Sequence, residues 1–72
     1  MNSQPPRLEP AAVLTASPLP QLRRLVVVAN ETEVIITGRV SSYYMKQLAQ
    51  EALRPTLNNR RLLNHVEVCS SN

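Results

Sequence analysis

The sequence predicts an α+β fold: a small (α)ββαβ module in which a three-stranded sheet is covered on one face by a helix. Three observations predict it. The run Glu33-Val-Ile-Ile-Thr-Gly-Arg-Val40 is β-branched and is broken by the only glycine of the chain, Gly38. Directly after it, the serine pair Ser41-Ser42 opens an amphipathic stretch that ends at Leu53. Beyond Pro55, Leu62, Asn64, Val66 and Val68 alternate with Leu63, His65, Glu67 and Cys69, the period of a strand with one buried face.

Five of the six prolines fall in the first twenty residues. Each fixes φ and removes a backbone donor, so neither a long helix nor a central strand runs through them. Residues 1–16 are therefore expected to form an extended or disordered tail, with the folded domain over residues 17–69 and a short tail at 70–72. Ser17-Pro18 suits the start of a short helix reaching Leu22 and Arg23, since serine caps well and proline fits the first helical turn.

Leu25-Val-Val-Val-Ala29 reads as the first strand and Glu33 to Val40 as the second, joined by Asn30-Glu31-Thr32 into a hairpin. With no glycine in that turn, Asn30 is the residue best able to take a left-handed conformation. Val34, Ile36, Gly38 and Val40 share one face of the second strand; Ile35, Thr37 and Arg39 share the other. Met45, Leu48, Ala49, Ala52 and Leu53 form one apolar stripe at helical spacing, capped by Ser41 or Ser42. Pro55 is expected to stop the helix by pushing Arg54 out of the α region. The even-numbered face of the last strand, from Leu62 to Val68, should pack beneath this helix.

At 72 residues the chain is one domain at most, and a domain of that size buries only about 60% of the surface its unfolded chain exposes. Pairing with another chain, as in a homodimer, would be a natural supplement. Trp and Phe are absent, so the core must be aliphatic. A net charge of +3 with no Asp favours anionic partners such as phospholipid headgroups or nucleic acid, and equally serves solubility. One cysteine excludes an internal disulfide. No basic patch precedes an apolar run at the start, and no stretch approaches the ~20 apolar residues of a membrane span. The expectation is a cytoplasmic protein.

The elements in this order resemble a BON domain, the module named for bacterial osmotically inducible and nodulation proteins. The resemblance is carried by Val34-x-Ile36-x-Gly38-x-Val40-Ser41, the helical Ala49 and Ala52, and Leu62-x-Asn64-x-Val66-x-Val68. It spans about Leu22 to Val68. It implies an αββαβ fold with a mixed sheet, the last strand parallel to the second, and a non-catalytic binding role at phospholipid or envelope surfaces. Gly38 and Asn64 match structural positions of the family. The chain differs from the usual pattern in its proline-shortened first helix and in the connection Pro55-Thr-Leu-Asn-Asn-Arg-Arg61.

Few residues suggest chemistry. His65 and Cys69 are four apart, which on a strand is about 13 Å at ~3.3 Å per residue, beyond the reach of a dyad. Zinc needs further His or Cys ligands, and the chain offers none, so no metal or cofactor is expected. Glu31 and Glu33 flank a turn with no histidine or nucleophile fixed beside them, and no enzyme is expected. Gly38 is read as a position where a side chain would strike the covering helix or a bulge. Arg54, Arg60 and Arg61 after the helix, with Arg23 and Arg24 before the first strand, form the candidate anion- or lipid-binding patch. Nucleic acid is the alternative ligand of that patch, although single-strand binders interleave aromatics with their basic residues. Ile35, Leu63 and Tyr43 are the candidate partner contacts, Ile35 and Leu63 on the open sheet face. Tyr44, four before Leu48, is expected to lap over the core edge.

Overall fold

A computed structural model describes residues 9–69 of the chain. Two short helices, α1 (Pro10–Thr15) and α2 (Pro20–Arg23), precede β1 (Val26–Ala29) and β2 (Glu33–Thr37). After Gly38 come β3 (Arg39–Val40), α3 (Tyr43–Leu53) and a 3-10 turn (Arg54–Thr56). The chain then returns through β4 (Arg61–Asn64) and β5 (Glu67–Val68). The fold is α+β, with a mixed three-stranded sheet in the order β1-β2-β4 and the helices packed on one face.

β1 is antiparallel to β2 through the pairs Val26↔Thr37 and Val28↔Ile35. β4 is parallel to β2, with Glu33↔Arg61 and Ile35↔Leu63 as partners. β3 and β5 prolong that parallel ladder without a slip, pairing Arg39↔Glu67 and Val40↔Val68. Across the break, the amides of His65, Glu67 and Cys69 donate to the carbonyls of Ile36, Gly38 and Val40, each at 2.8–2.9 Å. Glu33 to Val40 therefore acts as one strand bent at Gly38, and residues 61–68 as its parallel partner.

The alternation expected along both strands decides what is buried. Val34, Ile36, Val40 and Val66 point into the helical layer, where Leu14, Leu22, Leu25, Ala49 and Leu53 complete the core. Leu62 and Val68 pack against the same cluster. Ser42 caps α3 by accepting from the Met45 amide at 3.2 Å, which fixes where the helix starts.

Four expectations need correction. Residues 10–15 belong to the folded domain rather than to a tail: Pro10 begins α1 and Leu14 is almost wholly buried in the core. Proline at the first helical position costs no hydrogen bond, and Ala11 and Ala12 are the best helix formers, so one turn or so is enough to bring Leu14 to α3 and β1. Residues 1–8, the rest of the expected tail, and residues 70–72 lie outside the described residues. α2 starts at Pro20, and the hydroxyl of Ser17 instead accepts from the Leu19 amide ahead of it.

At the hairpin, Asn30 works through its side chain. Its Oδ1 accepts from the amides of Thr32 and Glu33, both at 2.8 Å, an Asx turn with no left-handed residue. The left-handed positions are Asn58 (φ 50°) and Asn59 (φ 69°), in a turn closed by the Arg60 amide on the Leu57 carbonyl. Pro55 does not push Arg54 out of the α region either. Arg54 keeps φ −53° and ψ −46°, and the chain passes from α3 into the 3-10 turn.

Candidate functional site

The five arginines of the expected patch do not converge. Because β1 runs antiparallel to β2, Arg23 and Arg24 enter the sheet at the Thr37 end. Because β4 runs parallel to β2, Arg61 enters at the Glu33 end. The two groups stand a strand apart, roughly 13 Å at ~3.3 Å per residue.

At the hairpin end, the guanidinium of Arg60 is taken up by main-chain carbonyls. Nε donates to Leu57 at 2.8 Å, Nη2 to Thr56 at 2.7 Å and Nη1 to Asn30 at 3.5 Å. It holds the turn after α3 to the β1–β2 hairpin. Arg54 Nε lies 3.5 Å from Glu51, and Arg61 faces Glu33 in register. An open cleft beside Arg60 is lined by Glu9, Glu31, Asn30 and Asn58. Carboxylates so mixed among the arginines leave this end unsuited to an anion.

The opposite end has the other character. Gln21 on α2 clamps the link between β3 and α3: its Oε1 accepts from the Ser41 amide at 2.7 Å and its Nε2 donates to the Ser41 hydroxyl at 2.9 Å. That clamp holds α2, with Arg23 at its end and Arg24 just after it, against β3 and α3. The Arg23 guanidinium itself donates to the Ser17 carbonyl at 2.9 Å. Glu67, ion-paired with Arg39 at 3.4 Å, is the carboxylate placed there among the described residues. Tyr43 and Tyr44 project from the first turn of α3, 71% and 70% exposed, and Lys46 Nζ sits 5.7 Å from the centre of the Tyr43 ring. Tyr44 therefore does not lap over the core. Tyr43 lies on the helical layer, away from Ile35 and Leu63. Sequence reasoning did not assemble this end because Arg23 and Arg24, Arg39, and Lys46 come from separate segments, and the packing of α2 on β3 and α3 is a tertiary fact.

The third surface is the open face of the sheet. Val28, Ile35 and Leu63 lie in register across it, beside a second row of Val26, Thr37 and His65. Val26 and Val28 are more than half exposed. Ile35 and Leu63 are thus brought together as expected.

The remaining candidates are structural in their contacts. Gly38 has φ +132°, and a side chain there would meet Leu25 Cδ2 at 2.7 Å. The obstacle is Leu25, at the entry to β1, rather than the covering helix. Asn64 Nδ2 donates to the Lys46 carbonyl at 3.2 Å and to Gln50 Oε1 at 3.3 Å, and its Oδ1 accepts from the Val66 amide at 3.2 Å. It ties α3 to the sheet where the last strand bends. His65 and Cys69 are exposed on that strand, and no cluster of three or more His, Cys, Asp or Glu is found among the described residues. No described helix is long and apolar enough to cross a membrane. No protein-family model, curated relative or solved structure matches the chain.

Proposed function

We propose that the chain is a non-catalytic binding module of the BON type, and that the end at which α3 begins docks on an anionic phospholipid surface. The observation that carries this reading is the pair of exposed tyrosines, Tyr43 and Tyr44, at one helix start, with Lys46 Nζ 5.7 Å from the Tyr43 ring. The basic end of α2, Arg23 and Arg24, is on the element that Gln21 clamps to that start. Tyrosine has an apolar ring and a polar tip, which suits the boundary between headgroup and acyl chain. Each Lys or Arg held near an anionic leaflet contributes about 1 kcal/mol. Four cations against Glu67 give about 3 kcal/mol, a weak attachment that salt will screen. At the hairpin end Arg60 is engaged by carbonyls and Arg54 by Glu51. At the α3 end Arg23 donates to the Ser17 carbonyl and Arg39 pairs with Glu67, but Arg24 and Lys46 make no ion pair among the described residues, which supports placing the contact there.

Liposome sedimentation tests it. The wild-type protein should pellet with anionic vesicles at low salt, release at high salt and ignore neutral vesicles. Arg24→Ala/Lys46→Ala should reduce binding about tenfold or more, at 1.4 kcal/mol per decade, and Tyr43→Ala/Tyr44→Ala should weaken it too. Arg54→Ala/Arg61→Ala, at the hairpin end, should leave binding within about twofold. Loss of binding in that last pair, or equal pelleting on neutral vesicles, sinks the reading. Salt-sensitive binding to an oligonucleotide in preference to vesicles would make the ligand a nucleic acid instead.

A further inference from the structure

We infer that the open face of the sheet is self-complementary and pairs two copies of this chain. The inference rests on the sheet face opposite α3; it shares with the lipid reading only Arg39 and Glu67, whose opposite charges cancel in that reading.

The face is organised in four rows running across the strands. The first is Glu33 beside Arg61, the second Val28, Ile35 and Leu63, the third Val26, Thr37 and His65, the fourth Arg39 beside Glu67. Both outer rows carry one charge of each sign, and in opposite order: β2 runs from acid to base, and the chain from β4 to β5 from base to acid. A two-fold axis lying in the interface across the strands, level with Ile36, turns this pattern onto itself. Glu33 of one copy then lies over Arg39 of the other, and Arg61 over Glu67. Val28 lies over Val26, Ile35 over Thr37 and Leu63 over His65. Every charged residue meets its opposite, and the most exposed aliphatic side chains of the sheet, Val26 and Val28, leave water together. An isologous contact demands such a pattern, since one patch must serve as both partners.

The same pattern argues against other occupants. A surface of one sign, such as an anionic membrane, would meet Glu33 and Glu67 along with Arg39 and Arg61, and gain nothing electrostatically. Two copies stacked at the usual ~10 Å would instead form a sandwich of six strands with an apolar band between polar rims. The footprint, three strands at ~4.8 Å spacing and rows spanning roughly 20 Å, is at the small end for a specific interface. Interfaces at that end of the size scale are commonly transient, so the test is set to bracket a reversible dimer with a dissociation constant of roughly 1–100 μM.

The test is sedimentation equilibrium of the full chain from 5 μM to 1 mM (both roughly chosen to bracket that range), with circular dichroism as a check on folding. Wild type should shift from monomer to dimer, and Val28→Lys, at an exposed position, should weaken the dimer about tenfold or more while staying folded. Glu33→Arg/Glu67→Arg makes the face wholly basic, and Arg39→Glu/Arg61→Glu makes it wholly acidic. Each should be monomeric alone, and an equimolar mixture of the two should form a heterodimer. A wild-type chain that stays monomeric at the highest concentration overturns the inference and leaves the face to a different protein. Folded charge-swap variants that fail to pair with one another overturn it as well.

Discussion

Replacing Gly38 by alanine should remove a large share of the stability of this domain. Two costs fall on one methyl group. The backbone at φ +132° lies where residues with a Cβ are strained, which costs about 1–3 kcal/mol. The new Cβ would also sit 2.7 Å from Leu25 Cδ2, and Leu25 is buried in the core, so it can yield only by displacing its neighbours. Overpacking of that kind costs about 1–3 kcal/mol more. A loss of about 3 kcal/mol compares with a total of roughly 4–10 kcal/mol for a chain of this length. Urea unfolding followed by circular dichroism reads it directly: at about 1 kcal/mol per molar, the midpoint should drop by about 3 M. Leu25→Val removes both δ-carbons, so in that background the steric share, about 1–3 kcal/mol, should vanish while the backbone share persists. A Gly38→Ala midpoint within about 0.5 M of wild type would refute both terms.

Other perturbations separate structural from binding residues. Asn64→Ala removes two donated bonds to α3 and one accepted from Val66, and should cost about 1–3 kcal/mol in the same unfolding assay. Arg60→Ala strips the carbonyls of Thr56 and Leu57 of their donor and should destabilise by about 1–3 kcal/mol, with vesicle binding of the folded protein unchanged. Asn59→Ala places a Cβ-bearing residue without a helpful side chain at φ 69° and should cost about 1 kcal/mol, whereas Asn59→Gly should be neutral or stabilising.

What the sequence disclosed and what it hid follow one physical line. Period carries information about faces, and the alternation of Val34, Ile36 and Val40 against Ile35, Thr37 and Arg39 assigned core and open surface without a structure. The stripe from Met45 to Leu53 did the same for α3. Leu14 escaped because one turn of helix is too short for periodicity, and prolines on both sides read as disorder; the combination of Pro10 at a helix start with Ala11 and Ala12 was the usable signal. The arginines misled for a different reason. Adjacency in sequence, as in Arg60-Arg61, does not say that a guanidinium will be consumed by carbonyls of its own turn. Nor does it say that strand direction will carry Arg23 and Arg24 to the far end of the sheet. Such facts live in the topology, and only the strand order supplies them.

The two proposed surfaces make a joint prediction that neither makes alone. The two-fold axis that matches the charges runs across the strands, so it turns the second copy end for end. The α3 starts, with Tyr43, Tyr44 and Lys46, then point away from one another at opposite poles of the dimer, separated by more than the roughly 20 Å length of the paired rows. Both cannot rest on one flat bilayer, so dimerisation adds no avidity on a single vesicle, where linked sites would otherwise raise it 10²–10⁴-fold, on the order of magnitude usual for two sites. It lets one dimer bridge two vesicles. Wild-type protein above its dimer dissociation constant should therefore cluster anionic vesicles, read as rising light scatter that high salt reverses. Val28→Lys should bind the same vesicles with similar affinity per chain and leave them dispersed. Clustering by Val28→Lys at the same bound density would refute the end-for-end arrangement, because a monomer with one docking end has nothing with which to hold a second membrane.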